Sequence, residues 1–496
     1  MSKTIADLVA LLPEYDVSGA TDFVITDVTA DSRQIIPGAM FFCLTGARTD
    51  GHRYIAKAIE AGARCIVAEK TPAEPLPSDV TVVRVADTRE AMKRMAPFFF
   101  DYPANQLRMI GVTGTNGKTT TTHMIRHLLM EQGKRVALLG TIHTLLDEEV
   151  RTAANTTPDV IDLQRLLAEA VARGITHVVM EVSSHAISLE RIAGCKFDVA
   201  VLTNITQDHL DFHKTFEAYV AAKKQLFTDI KPNDVKKHYL IVNAADSSTA
   251  GIVKDCTAPV FSYSRSGAAD IMADNVRLGA KDMSFDVTIG KETVRLQMAI
   301  TGLFNVENVL AALSVGYHEG MTLTAIGESL ASFTGVPGRF ELVEAGQPFT
   351  VVVDYAHTPD GLLNVIQTAR AITQRHLLVV FGCGGDRDRT KRPIMGKLAA
   401  ELADIPVLTS DNPRTEDPEK ILDDVAAGVV PAVGQKQWLR IADRKEAIEK
   451  ALALAVAGDV VLIAGKGHET YQLIGGKTFP FDDRLVAKNY LEGKTW

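Results

Sequence analysis

The chain is poor in cysteine, and the five it has, Cys43, Cys65, Cys195, Cys256 and Cys383, are odd in number and far apart. None forms a CxxC pair, which excludes a zinc site or disulfide framework evident from spacing and fits a reducing compartment. No apolar run approaches the ~20 residues of a membrane-spanning helix. Positive charge is in deficit, with 53 Lys and Arg against 61 Asp and Glu and a formal net charge of −8. Sequence-independent nucleic-acid binding rests on neutralising phosphates with Lys and Arg, so this balance argues against it. A local basic pocket for a phosphorylated small molecule stays open. The opening MSKTIADLVALLPEYDV has a short apolar stretch broken by Asp7 and no small-residue cleavage site. It reads as a helix of the mature fold and not as a signal peptide, and the expected location is the cytoplasm.

What remains is an ordinary globular composition, 46% hydrophobic and 23% charged, which excludes general disorder. At roughly 150 residues per domain, 496 residues suggest about three domains. Residues 1–106 mix short strands (FVITDVTA, MFFCL, RCIVAEK, VTVVRV) with helical stretches such as HRYIAKAIEAG, and end where Pro103 and Asn105 disfavour a continuing helix. The second block opens with the strand LRMIGVTG, a Gly-rich turn, the helical pattern TTTTHMIRHLLMEQG and a further strand, RVALLGT. That order is the unit of a parallel sheet. THVVMEVSS and FDVAVLTNI are short, continuous and apolar, as strands buried on both faces are. Between about 239 and 300 an alternating pattern predicts an antiparallel annex, followed by the helices FNVENVLAALSVGYHEG and TLTAIGESLASF. Gly335-Val336-Pro337-Gly338 reads as a hinge, after which strands and helices alternate again to the C-terminal end. Asp417-Pro418 is a good helix start, since Asp can cap and Pro fits the first turn.

The strongest local signal is Gly114-Thr115-Asn116-Gly117-Lys118-Thr119, between a strand and a helix. Its glycines let backbone N–H groups face an anion, and the helix N-terminus adds a favourable dipole. Lys118 can reach outer phosphates and the Thr119 hydroxyl can ligate Mg²⁺. The strict spacing puts glycine at Val112, so this is a variant loop. Ligands of open parallel sheets bind beyond the carboxyl ends of the strands. There the chain carries Glu181, Ser183, Ser184 and His185, then Thr203, Asn204, Asp208 and His209. Glu181 and His209 could join Thr119 around a metal, although Mg²⁺ favours oxygen, and His209 alone reads as a hydrogen-bonded loop histidine. On residues alone, Lys223 and Lys224 read as a solvated basic helix face.

GTNGKT, EVSSHAI, TNITQDHLDFH, AAKKQLF, GLFNVENVLAAL, GVPGRFE, DYAHTPDGL, FGCGGDRDRTKRP, TSDNPRTEDP and GKGHETYQ occur in this order. Together they resemble the Mur ligases, ATP-dependent amide-forming enzymes of peptidoglycan synthesis, over essentially the whole chain. The resemblance implies an α/β fold of three-domain Mur ligase architecture. Residues 1–106 would bind the UDP end of the substrate, 107–334 would form a central P-loop-type ATPase, and 335–496 a Rossmann-like domain bringing the amino acid. It implies that Lys118, Lys223 and His209 are catalytic. Thr113, Gly114, Thr115, Asn116, Gly117, Lys118, Thr119, Asn305, Arg339 and Asp354 would bind ATP. Ser32, Arg33, His52, with the loop GARTDGH, and Thr156, Thr157, Ser183 and Arg191 would bind the UDP-substrate. Thr119, Glu181, His209 and Lys223 would hold Mg²⁺, Lys223 as a CO₂-derived carbamate, with Lys224 its solvated neighbour. Carbamate formation needs a neutral amine, hence a lysine whose ammonium form is disfavoured.

The DNPR stretch resembles that of diaminopimelate-adding members, so Arg387, Asp411, Asn412, Pro413, Arg414, Gly465 and Glu469 would hold meso-diaminopimelate. This amino acid differs from lysine by a carboxylate at its far carbon. Arg414 can grip a carboxylate with two donors, and lysine in the same pocket would leave the guanidinium unpartnered. Glu469 would suit an ammonium. The implied reaction adds meso-diaminopimelate to UDP-MurNAc-L-Ala-D-Glu through an acyl phosphate, in a monomer that uses ATP, binds no nucleic acid and has no membrane span. A folylpolyglutamate synthase shares the phosphate loop and the carboxylated lysine, but Asp31-Ser32-Arg33 and residues 45–52 speak against it. A nucleotide-switched binding protein would not need the DNPR and GKGHE residues.

Overall fold

A computed structural model describes residues 2–46, 49–70, 76–153, 155–233 and 235–493. The chain divides into two compact units, Met1–Gly111 with Lys134–Val199, and Val112–Gly133 with Ala200–Trp496. No described helix is long and apolar enough to cross a membrane.

In the first unit a five-stranded sheet runs in the order Asp16–Ser18, Thr81–Arg84, Cys65–Ala68, Met40–Phe42, Val28–Thr29, parallel except at its first pair. Met40–Phe42 and Cys65–Ala68 are buried at every position, as continuous apolar strands of a covered sheet should be. The helix Thr88–Phe99 starts where Asp87 accepts hydrogen bonds from the N–H groups of Arg89 and Glu90. It lays Met92 and Met95 against Phe42, Val83 and Ile161 in one core. The N-terminal helix is only Ile5–Val9, closed at its start by a reciprocal Thr4–Asp7 capping box. The expected break at 101–106 is a 3₁₀ turn, Pro103–Gln106, preceded by left-handed Asp101 and Tyr102. In the same unit Val136–Leu139 pairs in parallel with His177–Glu181.

The second unit includes the helix Lys118–Glu131, which packs against Leu303–His318. The expected antiparallel annex is narrower than 239–300. Tyr239–Asn243 and Val260–Ser264 pair in parallel, and antiparallel pairing starts only between Ile271–Leu278 and Met283–Ile289, continuing to Glu292–Met298. The reason is burial: all five residues of Tyr239–Asn243 are enclosed, whereas the later strands alternate.

A second, six-stranded sheet in this unit has the order Glu341–Leu342, Thr350–Asp354, Val460–Ala464, Leu377–Phe381, Ile405–Leu408, Leu439–Arg440. All its pairs are parallel except the first. Helices cover both faces. Leu362, Ile366, Met395, Ile421 and Val425 belong to one core and Ile448, Leu452 and Val486 to the other. The helix Pro418–Val433 starts as its sequence predicts, with Asp417 accepting from the Glu419 N–H and Pro418 in the first turn. This doubly wound arrangement brings the carboxyl ends at Asp354, Phe381, Leu408 and Ala464 to one edge, where ligands of such sheets bind.

Candidate active site

The strand Arg108–Thr113 leads into the phosphate loop, and the helix starts at Lys118. Gly114 and Gly117 have φ of +150° and +85°. A Cβ at Gly114 would lie 1.9 Å from Thr203 Oγ1, and one at Gly117 would lie 2.2 Å from Asn308 Oδ1, so neither position admits a side chain. Val112, where the strict spacing would put glycine, is a buried residue of the strand. The segment after Val199–Leu202 shapes the loop. Thr203 Oγ1 donates to the Asn116 carbonyl at 2.6 Å, Asn204 Oδ1 accepts from Asn116 N at 3.0 Å, and the Asn204 carbonyl accepts from Thr115 N at 2.8 Å.

Two lysines converge on one carbonyl. Lys118 Nζ donates to the carbonyls of Gly114 at 2.9 Å and Thr115 at 2.8 Å, and Lys223 Nζ donates to the same Gly114 carbonyl at 2.8 Å. Lys223 is 1% exposed, so it does not lie on a solvated face. It sits on the helix Phe216–Thr228 in the buried stripe Tyr219, Ala222, Lys223, Leu226, Phe227, with its Nζ 4.6 Å from the centre of the Tyr219 ring. Burial, and then the charge of Lys118, hold its pKa well below the usual lysine value. Lys224 is half-buried and pairs with Asp255.

His209 adopts a left-handed backbone conformation, φ +54°, and its Nε2 lies 3.4 Å from Asp208 Oδ2. Burial alone would raise the Asp208 carboxyl, but the positive neighbours His209, His357 and Lys391 outweigh it and hold the group below the ordinary range. Thr119 Oγ1 accepts from Arg339 Nη2 at 3.1 Å. Glu181 belongs to the first unit, where its carboxylate accepts from the Thr141 N–H at 2.8 Å and hydroxyl at 3.0 Å. Among the described residues no group of three or more His, Cys, Asp and Glu forms a ready cage for a metal.

Arg339 links the phosphate loop to Tyr355. One end reaches Thr119, and its guanidinium lies 4.4 Å from the centre of the Tyr355 ring. Asp354, at the end of its strand, accepts from the N–H groups of Phe340 and Ala356, both at 2.7 Å. Burial raises its pKa against the pull of Arg339 and those two donors. Asn116 Nδ2 donates to Asp360 Oδ2 at 2.7 Å, and Asn305 Oδ1 accepts from Asn308 Nδ2 at 3.1 Å.

The DNPR residues follow Ile405–Leu408 and lie against the glycine turn after Leu377–Phe381. Gly385 N donates to the Asn412 carbonyl at 2.9 Å, and Arg414 Nη1 donates to the Gly385 carbonyl at 2.7 Å. A Cβ at Gly385 would sit 1.9 Å from the Pro413 carbonyl oxygen. Arg414 is half-buried, with a left-handed φ of +57°. Burial lowers the pKa of the Arg387 guanidinium and the like charge of Arg414 lowers it further, while Asp211 and Tyr355 act in the opposite sense. Arg387 and Arg414 are thus electrostatic neighbours, and two guanidiniums together suit an anion. Asp411 Oδ1 accepts from Asn412 N at 2.7 Å, and Gly465 abuts the other carboxylate oxygen so closely that a Cβ would lie 2.5 Å from it. Glu469 does not face the pocket with an uncompensated charge: its Oε2 accepts from Asn412 Nδ2 at 2.8 Å and from the wholly buried Lys466 at 2.7 Å.

The residues expected to bind the nucleotide sugar lie in the first unit. Thr157 Oγ1 donates to the Glu181 carbonyl at 2.8 Å and accepts from Ser183 N at 3.1 Å, and Arg191 Nη1 donates to the Thr157 carbonyl at 3.4 Å. Thr156 Oγ1 accepts from Thr141 at 3.1 Å. These four form one cluster. Ser32 and Arg33 sit in a separate turn, where Arg33 is ion-paired with Asp31. His52 uses both ring nitrogens within the chain: Nδ1 donates to Asp50 at 2.6 Å and Nε2 accepts from Glu69 N at 3.1 Å. Ala47 and Arg48 of GARTDGH lie outside the described residues.

Sequence reasoning placed Asp208 at the strand ends without giving it a role, and missed Lys466, Asn308 and Tyr219. Tyr219 was within reach of it, because it stands one helical turn before Lys223 on the same stripe.

Three successive segments match known families: residues 24–100 the Mur ligase family, catalytic domain; 112–316 the Mur ligase middle domain; and 338–467 the Mur ligase, glutamate ligase domain. A relative from Geobacillus thermodenitrificans, a UDP-N-acetylmuramoyl-L-alanyl-D-glutamate–2,6-diaminopimelate ligase, is 45% identical over 97% of this chain and 98% of its own length. A solved structure of a ligase of that name is similar at a TM-score of 0.67 and 32% identity, over 99% of each chain. The MurF structure from Acinetobacter baumannii, 20% identical, has a TM-score of 0.70 over 94% of this chain and 96% of that one, a likeness of fold alone.

Proposed function

The chain belongs to the Mur ligase family, and on that premise we propose that it is the ATP-dependent ligase joining 2,6-diaminopimelate to UDP-MurNAc-L-Ala-D-Glu. One observation carries the reading: Arg339 touches the phosphate loop at Thr119 and lies on Tyr355, an electrostatic neighbour of Arg387 in the two-guanidinium receptor. Triphosphate and amino acid therefore meet on one edge.

Joining a carboxylate to an amine in water is uphill. Phosphoryl transfer from ATP to the dipeptide carboxylate gives an acyl phosphate and ADP. The amine of diaminopimelate then attacks, and phosphate leaves. Such transfer asks mainly for positioning and charge neutralisation. Lys118 and the N-terminal amides of its helix hold the phosphates, with Asn305, Arg339 and Asp354 around the nucleotide. Lys223 is the lysine to be carboxylated, since burial and Lys118 favour the neutral amine that CO₂ requires. Mg²⁺, when bound, neutralises charge between the reacting anions, and Thr119, His209 and carboxylated Lys223 would hold it. That donor set fits an ion that keeps waters and phosphate oxygens and needs no cage of its own. Thr156, Thr157, Ser183 and Arg191, with Ser32, Arg33 and His52, hold the nucleotide sugar. Arg387 and Arg414 take the distal carboxylate of the meso isomer, beside Asp411, Asn412, Pro413, Gly465 and Glu469. The three proposed domains are 1–106, 107–334 and 335–496. The protein acts as a monomer in the cytoplasm, where its triphosphate is available.

The test is ADP release by the purified protein. Turnover should require both UDP-MurNAc-L-Ala-D-Glu and diaminopimelate, and the product should gain the mass of the amino acid less water. ATP hydrolysis indifferent to both acceptors would instead identify a nucleotide switch.

A further inference from the structure

Arg387 and Arg414 stand on different loops, and their separation decides whether one carboxylate can bridge them. Each loop departs from ordinary backbone at its tip, with Asp386 at φ +53° and Arg414 at φ +57°. Arg392 connects the two loops. Its side chain is 0% exposed, one residue into the helix Lys391–Leu402. Nη1 and Nη2 donate to Glu416 at 3.0 and 2.8 Å in a two-pronged pair, Nη2 reaches the Gly384 carbonyl at 3.3 Å, and Nη1 reaches Asp424 at 2.8 Å. Glu416 is two residues beyond Arg414, and its Oε1 also accepts from the N–H of Asp386 at 2.6 Å, beside Arg387. Asp386 closes the ring by accepting from the Thr415 hydroxyl at 2.8 Å. One buried guanidinium and one carboxylate thus tie both arginine-bearing loops together, and neither touches the receptor itself.

We propose that Arg392, acting through Glu416, is the positioning residue for diaminopimelate selectivity, holding Arg387 and Arg414 at the spacing of a single carboxylate. This rests on the reading of those two arginines as the carboxylate receptor. A planar fork gives this registration where a lysine would not, because two parallel hydrogen bonds fix the angle of the carboxylate as well as its distance. L-Lysine, lacking the distal carboxylate, gains nothing from the spacing and should be insensitive to it.

The test uses the full chain as Arg392→Lys and Glu416→Gln, assayed with 2,6-diaminopimelate and with L-lysine at saturating ATP and UDP-MurNAc-L-Ala-D-Glu. KM for diaminopimelate should rise about tenfold, and the ratio of kcat/KM for diaminopimelate over lysine should fall by about as much. The KM for ATP should stay within about twofold, a split that general loosening of the fold would not give. An unchanged ratio, or equal losses on both amino acids, overturns the proposal. If Arg392→Lys does not fold, Glu416→Gln decides: it keeps the shape at a site 24% exposed, and its failure to fold would also overturn the proposal by assigning the pair to stability. Parent protein that shows no preference for diaminopimelate would sink the receptor reading instead.

Discussion

A lysine moved from water into a protein interior loses the hydration of its ammonium, so burial alone drives it toward the neutral form. Lys223 meets that condition, and its hydrogen bonds run to a carbonyl and a hydroxyl. Lys223→Ala should therefore fold and bind ATP but lose about 100-fold or more in turnover. Millimolar formate should restore part of the loss by returning an anion; absence of rescue together with normal Mg²⁺ dependence would refute carboxylation. On residues alone Lys223 read as part of a wet face because of the Lys-Lys pair, although the stripe it shares with Tyr219 and Leu226 carried the signal of its burial. Burial of Arg392 was not legible, since its carboxylate partners Glu416 and Asp424 lie 24 and 32 residues away; Lys466 has one partner close by at Glu469, but its other, Asn412, lies 54 residues away.

His318 offers a residue-level test of a different kind. Burial, aided by Lys237, lowers its pKa to about 4, against the opposing charges of Asp270 and Glu319. Its ring stacks on Phe261 with centroids 3.8 Å apart. A histidine with a depressed folded pKa binds fewer protons folded than unfolded, so its contribution is full above the unfolded value near 6.5 and is lost as pH falls toward 4. His318→Gln should flatten the pH dependence of urea unfolding between about pH 6.5 and 4. An identical slope in parent and variant would rule this out.

At the scale of elements, the Gly335–Gly338 stretch is a tight turn bridging Val336 and Arg339. Gly338 has φ +66°, and a Cβ there would lie 2.1 Å from His468 N and 2.3 Å from the Gly467 carbonyl carbon. Backbone cannot yield as a side chain does. Gly338→Ala should cost about 1–3 kcal/mol or more, read as a fall in Tm, whereas Gly346→Ala, with open space around it, should cost less. Gly-Val-Pro-Gly was read as a hinge, and the chain does turn there; the loop at 114–119 and the Asp417 cap were legible because each is local chemistry. The pairing of Tyr239–Asn243 was not: a fully buried strand shows no alternation, and direction depends on a partner sequence cannot name.

For the molecule as a whole, the reaction needs the phosphate loop and the amino-acid receptor to hold their register while two anions and a cation-bearing amino acid are bound. Arg339 touches the phosphate loop at Thr119 and lies over the face of Tyr355, an electrostatic neighbour of Arg387 in the proposed receptor. Cation–π contact with an aromatic ring fixes the plane of a guanidinium without spending its hydrogen bonds, so its N–H groups remain directed at the phosphate loop. If Arg339 only neutralised ATP, Arg339→Lys would keep most activity, since charge survives. If it sets register, lysine cannot reproduce the stacked plane, and kcat should fall about 100-fold in both Arg339→Lys and Arg339→Ala, with diaminopimelate binding retained. Tyr355→Leu, which leaves the charge but removes the ring, should follow the same pattern. Isothermal titration with each substrate, set beside steady-state kcat, separates the two accounts: near-parent turnover in Tyr355→Leu would leave Arg339 as a simple counter-charge.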